Sequence, residues 1–548
     1  MAATFDNHGI SVSHQTHTLN EDVYYAIVTL LDKQSDVSAF MCSARMLYPL
    51  GMGILLRMGA SITTDEQLVS FCRFIQRHYP SGTSQLERLS ICIPRLRLDL
   101  DWDSDVELED YKPINGAPLL VPVVGLLLNL QDLSIAFCEE LLEYDVRLAE
   151  AFSALTTLRR LYLSSFGLRT HEIVSNIRSP LVDIHIDGEY PEVELPPPHR
   201  PHLCDPLDVL KPHRTTLERV SLYHFDTSDA YVNSGPDTSI FPRVTALAMM
   251  DCRVCERDVL VNAFPNLRVL EVVSPEIDFW ALEYLETPAS VESVYLHNRD
   301  EVQEIWPDLD HVYGDLISVY MLALDCPVER LDLIICIVDL PEGRLSTTIE
   351  DIRPERIVLR LGFKKEQWPL LDPKFSPQDI SRLLNGVLED VVHDITHFGI
   401  DLGLWGMSGE PGIHYQRAIV DLLAGMSVQF FTCRVHAVDT EYEDELRDPP
   451  SAEHVAILSK FHGKFLAFWA ARLAEAAPTL EYLCFRVWDK EVYWHITRAS
   501  GGSPQFVRLD VDAGRALAQA ERMQWHCGAK AAPRVGDADT FAGTMIKL

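Results

Sequence analysis

The sequence predicts an α/β chain: an irregular solenoid with parallel strands on the inner face and helices outside, behind an N-terminal module of three short helices. Three observations carry this. The apolar spacing L-x-x-L-x-L, with Ile, Val, Met or Phe standing for Leu, recurs from Leu130 to Val511, and ten of its occurrences are read as repeat copies. From Leu130 to Val328 successive copies start 23 to 28 residues apart, apart from two intervals of 36 and 37. Ahead of them, three helical patterns crowd into residues 18–60.

The first copy is Leu130-Gln-Asp-Leu133-Ser-Ile135-Ala-Phe-Cys138. Others are Leu158-x-x-Leu161-x-Leu163, Leu181-x-x-Ile184-x-Ile186, Leu217-x-x-Val220-x-Leu222, Val244-x-x-Leu247-x-Met249-x-x-Cys252 and Leu267-x-x-Leu270-x-Val272. Then follow Val291-x-x-Val294-x-Leu296, Val328-x-x-Leu331-x-Leu333-x-x-Cys336, Leu480-x-x-Leu483-x-Phe485 and Phe506-x-x-Leu509-x-Val511. The last two apolar residues of each copy lie two apart and so point to one side of a strand. The first sits where the chain turns into the strand. One such unit cannot bury its own apolar face, whereas stacked units bury a continuous core beneath a parallel sheet. In spacing and period the unit resembles a leucine-rich repeat. Residues 86–511 are read as a leucine-rich-repeat solenoid, with insertions at the two long intervals.

Residues 1–17 are polar and aperiodic, as in a disordered leader. Residues 61–85 fit a connecting helix with Leu68, Phe71, Cys72 and Ile75 on one face. A first, imperfect strand is expected at Leu86-x-x-Leu89-x-Ile91. The acidic run Asp99, Asp101, Asp103, Asp105, Glu107, Glu109 and Asp110 has the spacing of a calcium loop. Ser104 occupies the place of the turn glycine and Asp110 that of the bidentate Glu, so a solvated acidic loop is expected instead. Residues 139–155, 306–324 and 452–477 fit outer helices, and the proline-dense stretch 189–212 an extended insertion. Between 362 and 425 the spacing lapses. A helix near 378–392 and a Gly-rich piece at 399–412 suggest a long insertion or a degenerate repeat pair. A short helix and tail occupy 512–548.

The net charge is −34, from 47 basic and 81 acidic residues. Electrostatic binding to nucleic acid or to an anionic membrane needs Lys/Arg fields, so neither partner is expected. The longest apolar run, 118–128, is broken by Pro122 and Gly125 and falls short of the ~20 residues of a spanning helix. No secretory pattern, no Asn-x-Ser/Thr sequon and no disulfide spacing among the 12 cysteines appear, which fits a cytoplasmic or nuclear setting. Cys252-x-x-Cys255 has no second pair. Cys252 instead holds the repeat position that Cys138 and Cys336 hold in theirs, a small buried group after the strand. His171-Glu172 lacks the second ligand of a zinc helix, because Ser175 stands there. Gly51-Met-Gly53 and Gly463-Lys464 lack the rest of a nucleotide loop. No catalytic residue, metal or cofactor is expected.

In the N-terminal module, Asn20 can cap a helix with Glu21 and Asp22 in its first turn and Val23, Ile27, Leu30 and Leu31 at helical spacing. Ser35-Asp36 starts a second helix with Val37, Phe40 and Met41. Pro49 starts a third with Leu50, Ile54, Leu55 and Leu56. The series Leu19-Asn20-Glu21-Asp22-Val23, then Ser35-Asp36-Val37, then Cys42 and Arg45-Met-Leu47 resembles an F-box. It departs from that family at Asn20, where Pro is usual, and at Ser43-Ala44, between Cys42 and Arg45. The resemblance covers about 40 residues. It implies that the module holds the Skp-type adaptor of a cullin–RING ubiquitin ligase through Leu19, Asn20, Val23, Ile27, Leu31, Val37 and Leu47. It also implies that the repeats present a protein substrate. Helical patterning alone fits equally a cap that only closes the first repeat.

Side chains between the inward strand positions face the inner side. On this register they include Ser134, Asp187, Glu271 and Asp332, and as substrate-binding anchors Tyr162, His185, Tyr223, Tyr295, His297, Arg360 and Arg486. The expected function is that of a substrate-recognition adaptor of an SCF-type ligase, without chemistry of its own. The alternatives are a leucine-rich-repeat interaction scaffold that recruits no ligase, and an enzyme site hidden in residues 362–425.

Overall fold

The computed structural model describes residues 21–31, 33–78, 93–100, 114–188, 206–225, 240–250, 252, 257–273, 288–300, 305–336, 343–362, 395–403, 411–436, 463–487, 490–498 and 503–525. Among the described residues sixteen strands follow one another in chain order, three in one compact unit and thirteen in another, each pairing with its sequence neighbours inside its unit. Neighbouring strands pair in parallel until the last two pairings, which are antiparallel because the last-but-one strand reverses direction. The chain divides into two compact units.

The first unit begins with helices α1 (Glu21–Thr29), α2 (Gln34–Ser43) and α3 (Tyr48–Arg57). They close around Val28, Val37, Met41, Ile54 and Leu55, with Leu31 and Phe40 packed against that cluster. Strand β1 (Ala60–Ile62) and helix α4 (Asp65–His78) follow, then β2 (Arg95–Leu98), helix α5 (Ala117–Val124) and β3 (Asp132–Ile135). Leu68, Phe71, Cys72 and Ile75 of α4 are all buried, as their spacing predicts. The expected strand at 86–91 and the acidic run 101–110 lie outside the described residues.

The second unit opens with α6 (Cys138–Tyr144) and α7 (Arg147–Ser153). It then lays down β4 (Arg160–Leu163), α8 (Leu168–Asn176), β5 (Asp183–Asp187), α9 (Pro206–Leu210), β6 (Arg219–Tyr223), β7 (Ala246–Met250), α10 (Arg257–Ala263) and β8 (Val269–Val273). Next come α11 (Pro288–Asp300), β9 (Leu309–Asp315), α12 (Leu316–Met321), β10 (Val328–Cys336), α13 (Arg344–Ile352) and β11 (Arg356–Gly362). The remainder is β12 (His397–Gly403), α14 (Pro411–Ala424), β13 (Phe430–His436), α15 (Gly463–Ala476), β14 (Tyr482–Val487), β15 (Lys490–Thr497), β16 (Gln505–Leu509) and α16 (Val511–Ala520).

Strand geometry sorts the side chains of this unit. Leu161, Ile184, Val220, Leu247, Leu270, Val312, Leu331, Ile357, Phe398, Phe431 and Leu483 stand opposite one another along the register, each 2 % exposed or less. The turns into the strands stack as well. The Arg159 carbonyl accepts from Val182 and Asp183, Val182 from Glu218 and Arg219, Glu218 from Thr245 and Ala246, and Thr245 from Arg268 and Val269. Each unit therefore hands its turn carbonyl to the next, which is how a chain grows by stacking.

Several expectations need correction. Val291, Val294 and Leu296 do not form a strand; they lie in helix α11, whose inward face is Tyr295 and Asn298. The strand of that repeat is β9, inside the stretch 306–324 expected to be helical. Leu309, Val312, Leu316 and Val319 satisfy a helical spacing, and short apolar runs leave the two periods ambiguous. Strand pairing wins because Asp310 and His311 donate to the Arg268 carbonyl. Gly314 also lets β9 approach closely, since a Cβ there would lie 2.2 Å from the Val272 carbonyl oxygen. Helix formation starts only at Asp315, whose carboxylate accepts from Ser318 N at 2.9 Å as an N-cap. Residues 397–403 and 411–424 are an ordinary strand and helix, with Ile395, Phe398 and Ile400 in the repeat positions. The expected helix at 378–392 lies outside the described residues. Finally, β16 carries Phe506 and Leu509 but pairs antiparallel with the reversed strand β15, and Val511 opens α16.

Truncating Leu333, fully buried on β10, to Ala is expected to cost about 2–5 kcal/mol in a denaturant titration. Ser221→Ala, between the core residues Val220 and Leu222 of β6 but on the other side of the sheet, is expected to stay within about 0.5 kcal/mol.

Candidate functional site

Turning the strands over gives the polar face of the second unit. Its middle row runs Tyr162, His185, Ser221, Ala248, Glu271, Tyr313, Asp332, Val358, Gly399, Thr432, Cys484 and Tyr493. The alternation that buries the aliphatic rows dictates this one, since each residue here sits next to a core residue in sequence.

Toward β4 the face is aromatic and open. The rings of Tyr162 and His185 stack at 4.0 Å, and those of His185 and Tyr223 lie 4.3 Å apart. Tyr162 remains 36 % exposed. Asp187 sits beside them and meets His224 Nδ1 at 2.8 Å. In the adjoining row Asp183 pairs with Arg219 at 3.0 Å. Tyr162, His185 and Tyr223, all named from the repeat spacing, thus lie side by side.

Toward β9 to β11 the face becomes charged and buried. Arg330 donates from Nε and Nη2 to both carboxylate oxygens of Asp332, each at 2.7 Å. Burial alone would push the Asp332 carboxyl up, but Arg330 and His311 beside it hold it well below the usual range. Arg360 lies over the Tyr313 ring at 5.1 Å. Further along, Arg434 and Asp401, both buried, approach to 3.5 Å. Arg486 reaches Glu491 at 3.5 Å. Desolvation, with Asp332 adding to it against the pull of Arg360, raises the Glu271 carboxyl to about 7.

Two of the expected anchors are elsewhere. Tyr295 and His297 sit in α11, not on a strand. Tyr295 is 3 % exposed and stacks on Tyr320 at 4.2 Å, donating its hydroxyl to Asp351 at 3.0 Å. Tyr295 thus holds helix to helix, whereas His297 is exposed. Conversely, Arg330, Arg356 and His397 are residues of the polar face that the repeat pattern alone did not single out. Charges alternating with Leu331 and Leu333, and with Ile357 and Phe398, were the available signal.

Cys252 is buried after β7, its thiol donating to the Leu222 carbonyl at 3.4 Å; Cys255 lies outside the described residues. Among the described residues no three His, Cys, Asp or Glu side chains converge on a metal position. No described helix is long and apolar enough to cross a membrane.

Within the first unit, the residues named for adaptor contact separate into two groups. Val37 and Leu47 are buried inside the helical module, and Leu31 is partly so. Val23 and Ile27 stand on the outside of α1, and Leu30 in the turn that follows it, at 42 %, 38 % and 83 % exposure. Leu19 and Asn20 lie outside the described residues. No family model matches this chain, and neither does any curated protein.

A carboxyl raised on folding binds its proton more tightly in the folded state. Its stabilising contribution is therefore complete below the ordinary value of 4.5 and lost as pH rises through about 7. Glu271→Gln is expected to unfold like the wild type near pH 4 and at a higher temperature than the wild type at pH 8.

Proposed function

We propose that the chain is a substrate-recognition subunit of an SCF-type ubiquitin ligase. The helical module, read as an F-box, holds the Skp-type adaptor, and the strand face, read as that of a leucine-rich-repeat array, holds a protein substrate. The observation that carries this reading is the outer stripe of α1. Val23, Ile27 and Leu30 repeat at i, i+4 and i+7, while Val28 on the other side anchors the module's core. Exposed aliphatic residues at that spacing are what a helix offers to a partner's groove. Tyr25, Met46 and Tyr48 extend the exposed apolar surface of the module. A helical cap serving only to close the first repeat would have no use for such a stripe.

On this reading Val37 and Leu47 act inside the module, setting the angle between its helices, and contact with the adaptor rests on Val23, Ile27 and the neighbouring stripe. Substrate contact rests on the open aromatic patch of Tyr162, His185 and Tyr223. A strongly acidic chain with an aromatic patch flanked by Asp187 and Asp183 favours a basic protein segment. Catalysis belongs to the ligase, not to this chain.

Capture of purified Skp-type adaptor by the full chain tests the reading. The wild type is expected to retain the adaptor. Ile27→Asp is expected to weaken capture by roughly tenfold or more while leaving the unfolding midpoint unchanged, because the side chain is already half in water. Complete absence of capture by the wild type would leave the interaction scaffold without ligase recruitment as the reading.

A further inference from the structure

The polar face is not uniformly open. Over β10 to β15 it is covered by the chain's own residues 510–525. Asp510 caps α16, accepting from Ala513 N at 2.8 Å. Gly514 lies flat on the Tyr493 ring, where a Cβ would come within 2.2 Å of a ring carbon. Ala518 and Met523, the latter 1 % exposed, enter an apolar patch of Val358, Phe430, Cys484 and Tyr493. The helix ends at Arg522, which takes a left-handed backbone (φ 51°).

What holds its end is chemistry of an unusual kind for a core. Arg356 Nε donates to the Glu521 carbonyl at 3.0 Å, and Arg330 donates to the carbonyls of Arg522 and, at 3.0 Å, of Gln524. His397 Nε2 meets the Glu521 carboxylate at 3.1 Å. Two guanidiniums thus serve the orphan carbonyls at a helix C-terminus, where cations are favoured. They read main chain, so the surface selects small residues against Tyr493, one large apolar side chain, and a helix end. Side-chain pairs add to this, since Arg515 meets Glu491 at 2.7 Å and Arg522 meets Glu329.

We propose that the polar face of β10 to β15 is a peptide-docking surface, that residues 510–525 are its resident occupant in cis, and that a peptide of the same chemistry supplied in trans replaces them. Such a partner presents a short helix with small residues four apart, a large apolar residue one turn later and a free C-terminal turn. The proposal deepens the reading of the strand face as a partner surface and is independent of ligase recruitment. Adaptor capture, measured on the same samples, reports that separately.

The thiols give the readout in the full chain. Cys42 is exposed, Cys433 lies in the aliphatic core, and Cys484 lies under the docked segment. Alkylation of the native protein followed by peptide mapping is expected to label Cys42 and to spare Cys433 and Cys484. In Gly514→Leu and in Met523→Asp, Cys484 is expected to react roughly tenfold or more faster while Cys433 stays protected. A synthetic peptide of residues 509–526 is then expected to bind both variants in fluorescence anisotropy, to restore protection of Cys484, and to bind the wild type at least about tenfold more weakly. Cys433 becoming reactive together with Cys484 in both variants would show that the segment is an inseparable part of the fold and overturn the proposal. So would a Cys484 that stays protected in both, or variants that expose it yet bind no peptide.

Discussion

Everything in this molecule depends on the alternation of side chains along short parallel strands. A residue and its neighbour in sequence face opposite sides, so a strand such as Ile357-Val358-Leu359-Arg360 gives Ile357 and Leu359 to the core and Val358 and Arg360 to the other face. Repeating that choice at matching register stacks aliphatic on aliphatic. It also aligns polar residues into rows, with no instruction beyond the spacing. A slip of one residue would exchange the two sets, which is why the register is strongly determined wherever one face must be dry.

The polar rows then acquire different characters from local composition. Where Tyr and His fall in register at β4 to β6, rings stack and stay partly open. At β9 to β13 it is Arg, Asp and His that fall in register, and the charges must be paired because they are covered: Arg330 with Asp332, and Arg434 with Asp401. Removing one member of such a buried pair leaves a charge without compensation, so this region tolerates change poorly. The cover over β10 to β15 is the chain's own C-terminal segment, docked by guanidinium contacts to its main chain.

The sequence showed the α/β class, the strand positions from Leu130 to Val272 and the aromatic trio of Tyr162, His185 and Tyr223 through spacing alone. It misled at Val291 to Leu296, where a helix satisfies the repeat spacing by coincidence, so that Tyr295 and His297 were assigned to the wrong side of the molecule. At Val428-x-x-Phe431-x-Cys433 it was silent because Cys stands in the last apolar position, although burial there is complete. The C-terminal docking was not legible, because it depends on contacts between residues almost 200 apart, such as Arg330 and Gln524. Spacing patterns report neighbours along the chain, and long-range pairing of a guanidinium with a carbonyl leaves no periodic trace.

The most direct test is a cysteine scan of one strand in the otherwise intact chain. Single cysteines placed at Val220, Ser221, Leu222 and Tyr223 of β6 are compared for alkylation rate under native conditions. Fast reaction at 221 and 223 with protection at 220 and 222 is the predicted result. Equal reactivity at all four positions, or protection of 221 and 223 instead, would contradict the assignment of an aliphatic and a polar side to the sheet.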